Sequence, residues 1–146
     1  MRYGLVLVSA TLLITLNVPL DVFAESSATL TVKVEDVSNR GGNVRVALYD
    51  RASWPNDDAK PVIDGVVPAQ TGETIVTVRD VPPGTYGLKA FQDYNRNGEF
   101  DTTWLGLPAE KYGFSNDARV VFSEPDFDAA KFTLSPGANT ITIHLK

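Results

Sequence analysis

The chain has 146 residues with 13 Lys+Arg, 18 Asp+Glu, one His and no Cys, for a formal net charge of −5. An acidic balance excludes nucleic-acid and anionic-membrane binding, both of which need a basic footprint. The missing cysteines exclude disulfides, thiolate metal centres, a Cys nucleophile and a lipidated Cys.

Residues 1–24 have the three parts of an export signal. Arg2 precedes the apolar stretch Leu5–Leu16, which is shorter than the ~20 residues a spanning helix needs. Pro19 breaks the helix, and Val22-Phe23-Ala24 places small residues at the −3 and −1 positions of a cleavage site before Glu25. Cleavage after Ala24 predicts a periplasmic or secreted protein with no membrane span in its mature form. Removing one base (Arg2) and one acid (Asp21) with the signal leaves the mature charge at −5. Residues 25–146 are one domain's worth of chain, enough for a single core.

Alternation of apolar and polar residues then recurs with the period of a half-buried strand. It predicts strands at Leu30–Glu35, Val44–Leu48, Thr74–Val81, Thr85–Gln92, Ala118–Phe122, Lys131–Leu134 and Ile141–Lys146, and a weak one near Val62–Val67. Turn signals separate them: Asn39-Arg40-Gly41-Gly42-Asn43, Pro82-Pro83-Gly84 and Ser135-Pro136-Gly137. The expected fold is all-β, a single sandwich of about seven antiparallel strands with Greek-key connections. A short helical turn fits around Glu124–Ala130.

Two stretches break this rhythm. Arg51–Gln70 is polar and rich in Pro. Asp93–Asp117 reads as a long acidic, aromatic loop, too aromatic for disorder. The window 93–128 holds eight acids and three bases, so it carries the whole net charge, and it holds seven of the twelve mature aromatics. Either these aromatics fold over one end of the sandwich beside solvated acids, or the acids meet a cation.

The run Asp93-Tyr94-Asn95-Arg96-Asn97-Gly98-Glu99-Phe100-Asp101 places oxygen side chains at every second position, with Gly at the sixth. This matches the first three-quarters of a calcium loop. Ca²⁺ takes six to eight oxygens, and here Asp93, Asn95, Asn97 and Asp101 would offer side chains and Glu99 its carbonyl. Trp104 stands where an EF-hand needs its bidentate Glu, and a strand pattern precedes the loop, so this is not an EF-hand. Glu110 and Asp117 are the nearest acids that could complete the shell. The alternative is that Asp, Asn and Gly are turn formers alone.

Enzymatic function is disfavoured. One His cannot build a histidine metal centre or a triad that the sequence reveals, and no pattern selects two carboxylates for a hydrolase. A binding module is favoured, with Tyr94, Trp104, Tyr112 and Phe114 as candidate contacts to a protein or glycan. A structural envelope domain, its loop stapled by Ca²⁺ or by turns alone, is the third reading.

Four motifs in order carry a family resemblance: Val-Pro-Pro-Gly-Thr-Tyr (81–86), Ala-Phe-Gln-Asp-Tyr-Asn-Arg-Asn-Gly-Glu-Phe-Asp (90–101), Leu-Gly-Leu-Pro-Ala-Glu (105–110) and Tyr-Gly-Phe-Ser-Asn (112–116). With Val44–Asp50 and Asp126–Phe132, they resemble the DUF2141 family of exported bacterial proteins over roughly residues 28–146. The resemblance implies an extracytoplasmic, transthyretin-like sandwich and no assigned reaction.

Overall fold

A computed structural model describes residues 27–54 and 59–146. The signal segment and its cleavage site lie outside the described residues. The elements are β1 (Ala28–Val37), β2 (Asn43–Tyr49), β3 (Ile63–Pro68), β4 (Gly72–Val81), β5 (Gly84–Asp93), β6 (Tyr112–Phe114), a 3₁₀ turn (Ser115–Asp117), α1 (Phe127–Ala130), β7 (Phe132–Leu134) and β8 (Gly137–His144). They form two packed sheets. One has the order β4-β1-β8; the other has the order β3-β2-β5-β6, with β7 also on β5. Among the described residues no helix is long and apolar enough to cross a membrane.

The period-two pattern explains the core. Leu30, Val32 and Val34 of β1 and Val76 and Val78 of β4 face Val44, Val46 and Leu48 of β2 and Leu88 and Ala90 of β5. Burying each such aliphatic side chain stabilises the fold by about 1.5–3 kcal/mol. The sandwich closes at one side, where Tyr112 and Lys146 exchange main-chain hydrogen bonds of 3.3 and 2.9 Å. The Pro-Pro-Gly-Thr-Tyr step has a local cause: the Tyr86 hydroxyl donates back to the Pro82 carbonyl at 2.9 Å and fixes the entry to β5.

Two expectations need correction. β8 runs parallel to β1, from Ala28 opposite Gly137 to Glu35 opposite His144, so the sandwich is not wholly antiparallel. Ala118–Phe122 is not a strand: it joins no ladder, and Val120, Val121 and Phe122 are exposed. The strand of this region is β6, which pairs with β5 through Lys89–Phe114 and Phe91–Tyr112. The weak strand near Val62–Val67 is present as β3.

Candidate functional site

The 25-residue loop is largely ordered by its own hydrogen bonds, in three pieces. The first is the turn 93–101, which leaves the end of β5. The Asp93 carboxylate is 1% exposed. Its Oδ1 accepts the Asn97 N–H at 3.1 Å and its Oδ2 the Gly98 N–H at 2.9 Å. Asn95 Oδ1 accepts the Asn97 N–H, and Asn97 Oδ1 the Glu99 N–H, each at 2.9 Å. The two asparagine amides then converge on Asp101: Asn95 Nδ2 donates to its Oδ2 at 2.6 Å, and Asn97 Nδ2 to its Oδ1 at 3.1 Å. The chain curls because Gly98 takes φ = +85°, with Arg45 against it.

Glu110 locks this turn from across the loop. It is 5% exposed, and its two oxygens accept the Tyr94 N–H at 2.8 Å and the Asp101 N–H at 3.0 Å. Asp93, Asn95, Asn97, Asp101 and Glu110 thus belong to one hydrogen-bonded unit. The Glu99 side chain is exposed and is not part of it; its N–H is. Among the described residues no three His, Asp or Glu cluster closely enough to hold a metal by themselves. Any cation here would therefore need the amide oxygens of Asn95 and Asn97 to turn inward. Arg45 Nε already stands 3.8 Å from Asp93.

The second piece is a tight hairpin rooted on the first. The Ala109 N–H bonds the Asp101 carbonyl at 2.9 Å, and the Thr103 N–H bonds the Leu107 carbonyl at 2.7 Å. The Gly106 N–H closes on Thr103 at 2.8 Å. Its tip is apolar: Trp104 is 91% exposed, Leu105 63% and Leu107 60%. Together these three side chains form an exposed apolar patch.

The third piece is β6 with its 3₁₀ turn, and it carries Asp117 away from the loop. Asp117 Oδ1 accepts the His144 N–H at 2.9 Å, and its Oδ2 meets His144 Nδ1 at 2.8 Å. Asp117 as an additional ligand of the 93–101 turn is thereby corrected: its carboxylate is engaged at β8. Glu35 of β1 takes the other ring nitrogen, Nε2, at 3.1 Å. Hydrogen bonding and the charge of Asp117, with Glu35 and Asp36 adding to it, raise the His144 pKa above its ordinary 6.5, against some loss of solvation. Partial burial works to raise the Asp117 pKa, but its bonds to His144 and the charges of His144 and Lys146 outweigh it and lower the value.

A folded-state imidazole pKa above the unfolded one means that protonated His144 stabilises the fold fully below about pH 6.5, and that this stabilisation is lost as pH rises through the raised value. Melting of the wild type and of His144→Gln from pH 5.5 to pH 9 checks this. The gap between the two should narrow toward alkaline pH. A gap that stays constant contradicts the assignment.

The aromatic candidates divide. Trp104 is exposed. The Tyr94 ring lies 3.8 Å from the Arg40 guanidinium, and its hydroxyl accepts a long, 3.5 Å bond from the Ser38 hydroxyl. Tyr112 is half-buried, between Phe100 at 5.5 Å and Phe114 at 5.9 Å. Phe114 is largely buried: it is 6% exposed and packed at 6.0 Å against Trp54. Gly113 between Tyr112 and Phe114 puts both rings on one side of β6, and Trp54 covers the second.

Trp54 anchors the second, aromatic cluster. It is 3% exposed and lies flat over Gly87 of β5, where a Cβ would stand 2.4 Å from the indole. Its Nε1–H donates to the Pro125 carbonyl at 2.8 Å, and Tyr49, Phe114 and Phe127 surround it. The clustered acids are also redistributed by folding: Asp128 pairs with Arg51 and Lys131, and Glu124 with Lys89.

A family model described as an uncharacterized protein conserved in bacteria (DUF2141) matches residues 32–142. Comparison with curated proteins and comparison with solved structures each gave no match.

Proposed function

From the premise that the chain belongs to the DUF2141 family, we propose that it is an exported, non-catalytic module of the cell envelope that docks on a partner through the Trp104 tip. The observation that carries this reading is the tip itself: Trp104, Leu105 and Leu107 exposed together on a hairpin held by the main-chain bonds Thr103–Leu107, Gly106–Thr103 and Ala109–Asp101. A partner covering these three side chains would remove a large apolar surface from water with little ordering cost in this chain. The non-catalytic part rests on the sequence, in which one His and no Cys select no catalytic constellation. Export rests on the signal pattern of residues 1–24, and the mass of the mature protein should place its N-terminus at Glu25.

Ca²⁺ is the proposed structural ion of the 93–101 turn, bound through Asp93, Asn95, Asn97, Asp101 and the Glu99 carbonyl. What supports it is the alternate spacing of oxygen-bearing side chains, which brings Asp93, Asn95, Asn97 and Asp101 into one turn around a buried Asp93 carboxylate. A second reading, turn formation without metal, is favoured by the main-chain N–H groups that already satisfy Asp93 and Glu110. Thermal melting decides between them. A site of extracellular type, with Kd near about 10⁻⁴ M, would add about 2 kcal/mol at ~5 mM Ca²⁺ and raise Tm by several degrees over a chelated sample. An unchanged Tm removes the metal. For the docking reading, Trp104→Ala should leave Tm unaltered and abolish capture of purified envelope proteins by immobilised wild type. Equal capture by the variant defeats the tip as the contact.

A further inference from the structure

The outer face of the β3-β2-β5-β6 sheet carries a groove of about 700 Å³, away from the Trp104 tip. Strand register builds it. The row Asp64–Ala47–Lys89–Phe114 crosses the sheet next to the row Val66–Arg45–Phe91–Tyr112. Ala47 is the small residue in the middle, so the surface dips there. One wall is Phe100, which folds back from the 93–101 turn onto Phe91 at 5.6 Å and Tyr112 at 5.5 Å and stays 41% exposed. The opposite wall is Tyr49, packed on Trp54.

The polar groups define what fits. Both cations in the groove are already matched: Lys89 Nζ stands 2.6 Å from Glu124, and Arg45 Nε 3.8 Å from Asp93. Asp64 and Glu99 add unmatched acceptors at the rim. No surplus positive charge remains for a phosphate or carboxylate ligand. A peptide strand would need free main-chain groups, as at a sheet edge. The floor offers none, because β2 is paired on both sides, to β3 and to β5. What remains is two rim carboxylates and the Arg45 guanidinium, whose fork has more N–H donors than its one ion pair uses, between aromatic walls. That set suits a neutral ligand rich in hydroxyls, whose C–H faces stack on the rings.

We propose that this groove is a binding site for a neutral oligosaccharide chain, with Phe100 and Tyr49 as stacking walls and Ala47 as the floor. The site is separate from the tip, so it stands or falls independently of tip docking. The probes are cellohexaose, maltohexaose and chitohexaose, each titrated calorimetrically into the purified protein, with tetra-alanine as the peptide control. At least one sugar should bind with Kd of about a millimolar or tighter. Phe100→Ala and Ala47→Leu should each weaken binding at least about tenfold, and Trp104→Ala should not change it. Ala47→Leu fills the floor from a half-buried position on the outer face, and its unchanged melting temperature shows that the loss is steric. The proposal is overturned if none of the three sugars binds at ~10 mM. It is also overturned if Ala47→Leu binds as wild type does, or if tetra-alanine binds and the sugars do not.

Discussion

Replacing Trp54 with Ala should destabilise the fold by about 3–5 kcal/mol, the largest effect expected of any single side chain here. The indole is buried among Tyr49, Phe114 and Phe127, and it holds the Pro125–Ala130 segment through its bond to the Pro125 carbonyl. Its removal leaves a cavity that three rings cannot fill without giving up their own edge-to-face contacts, and leaves a buried carbonyl unpaired. For a domain of this size that corresponds to a Tm lower by roughly 10–20 °C. Fluorescence gives a second reading, because the chain has two Trp residues. With Trp54 gone, all indole emission comes from solvent-facing Trp104 and should shift to the red, whereas Trp104→Ala should shift it to the blue with Tm unaltered. A Tm loss under about 3 °C for Trp54→Ala would mean that the outer aromatic cluster contributes little to the fold.

The second large effect is at Glu110. Its carboxylate satisfies two N–H groups from opposite ends of the 93–101 turn, Tyr94 and Asp101. Glu110→Ala leaves both without a partner, at about 1–3 kcal/mol each while they stay buried, and water entering the gap brings the sum toward about 2 kcal/mol. The loop should therefore loosen before the sandwich does. Hydrogen exchange at the Tyr94 and Asp101 amides should accelerate by about tenfold or more, while Val32 and Leu88, deep in the two sheets, should keep their protection. Glu110→Gln retains one acceptor and should fall between wild type and Ala. Equal exchange in all three proteins would show that the turn is held by Asp93 and its asparagines alone.

Residues with one face in the core were readable from their alternation. β1, β2 and β5 each have three or more apolar residues in step, and β4 has Val76 and Val78 beside Thr74, so a slip by one residue would expose them all. Alternation says nothing about strand direction, which is why the parallel pairing of β8 with β1 was not foreseen. β6 is three residues long and has Gly at its centre, too little to register as a pattern. The apolar triplet Val120-Val121-Phe122 imitated a strand, but it joins no ladder and stays exposed. At the candidate site, the one-in-two spacing of Asp93, Asn95, Asn97 and Asp101 was visible because consecutive oxygens converge within a single turn. Glu110 and Asp117 looked equivalent by distance along the chain. They separate because β6 and the 3₁₀ turn travel across to β8, and that route depends on Tyr112 meeting Lys146, a pairing no local pattern encodes.

The contact between the first and last strands has a kinetic consequence. β1 is the middle strand of its sheet, and one of its two neighbours is β8, more than a hundred residues later. Long loops must close before such a pairing returns any free energy, so the sheet assembles slowly and late. A chain that emerges N-terminus first cannot complete this sheet until Leu145 and Lys146 have also emerged to bond Glu35 and Tyr112. Were the proposed export to thread the chain unfolded, this order of assembly would keep it threadable until its last strand is through. Deleting residues 137–146 should leave β1 with an unpaired edge and Ile143 and Leu145 missing from the core. Such a chain would be trapped as an aggregating intermediate rather than a smaller domain.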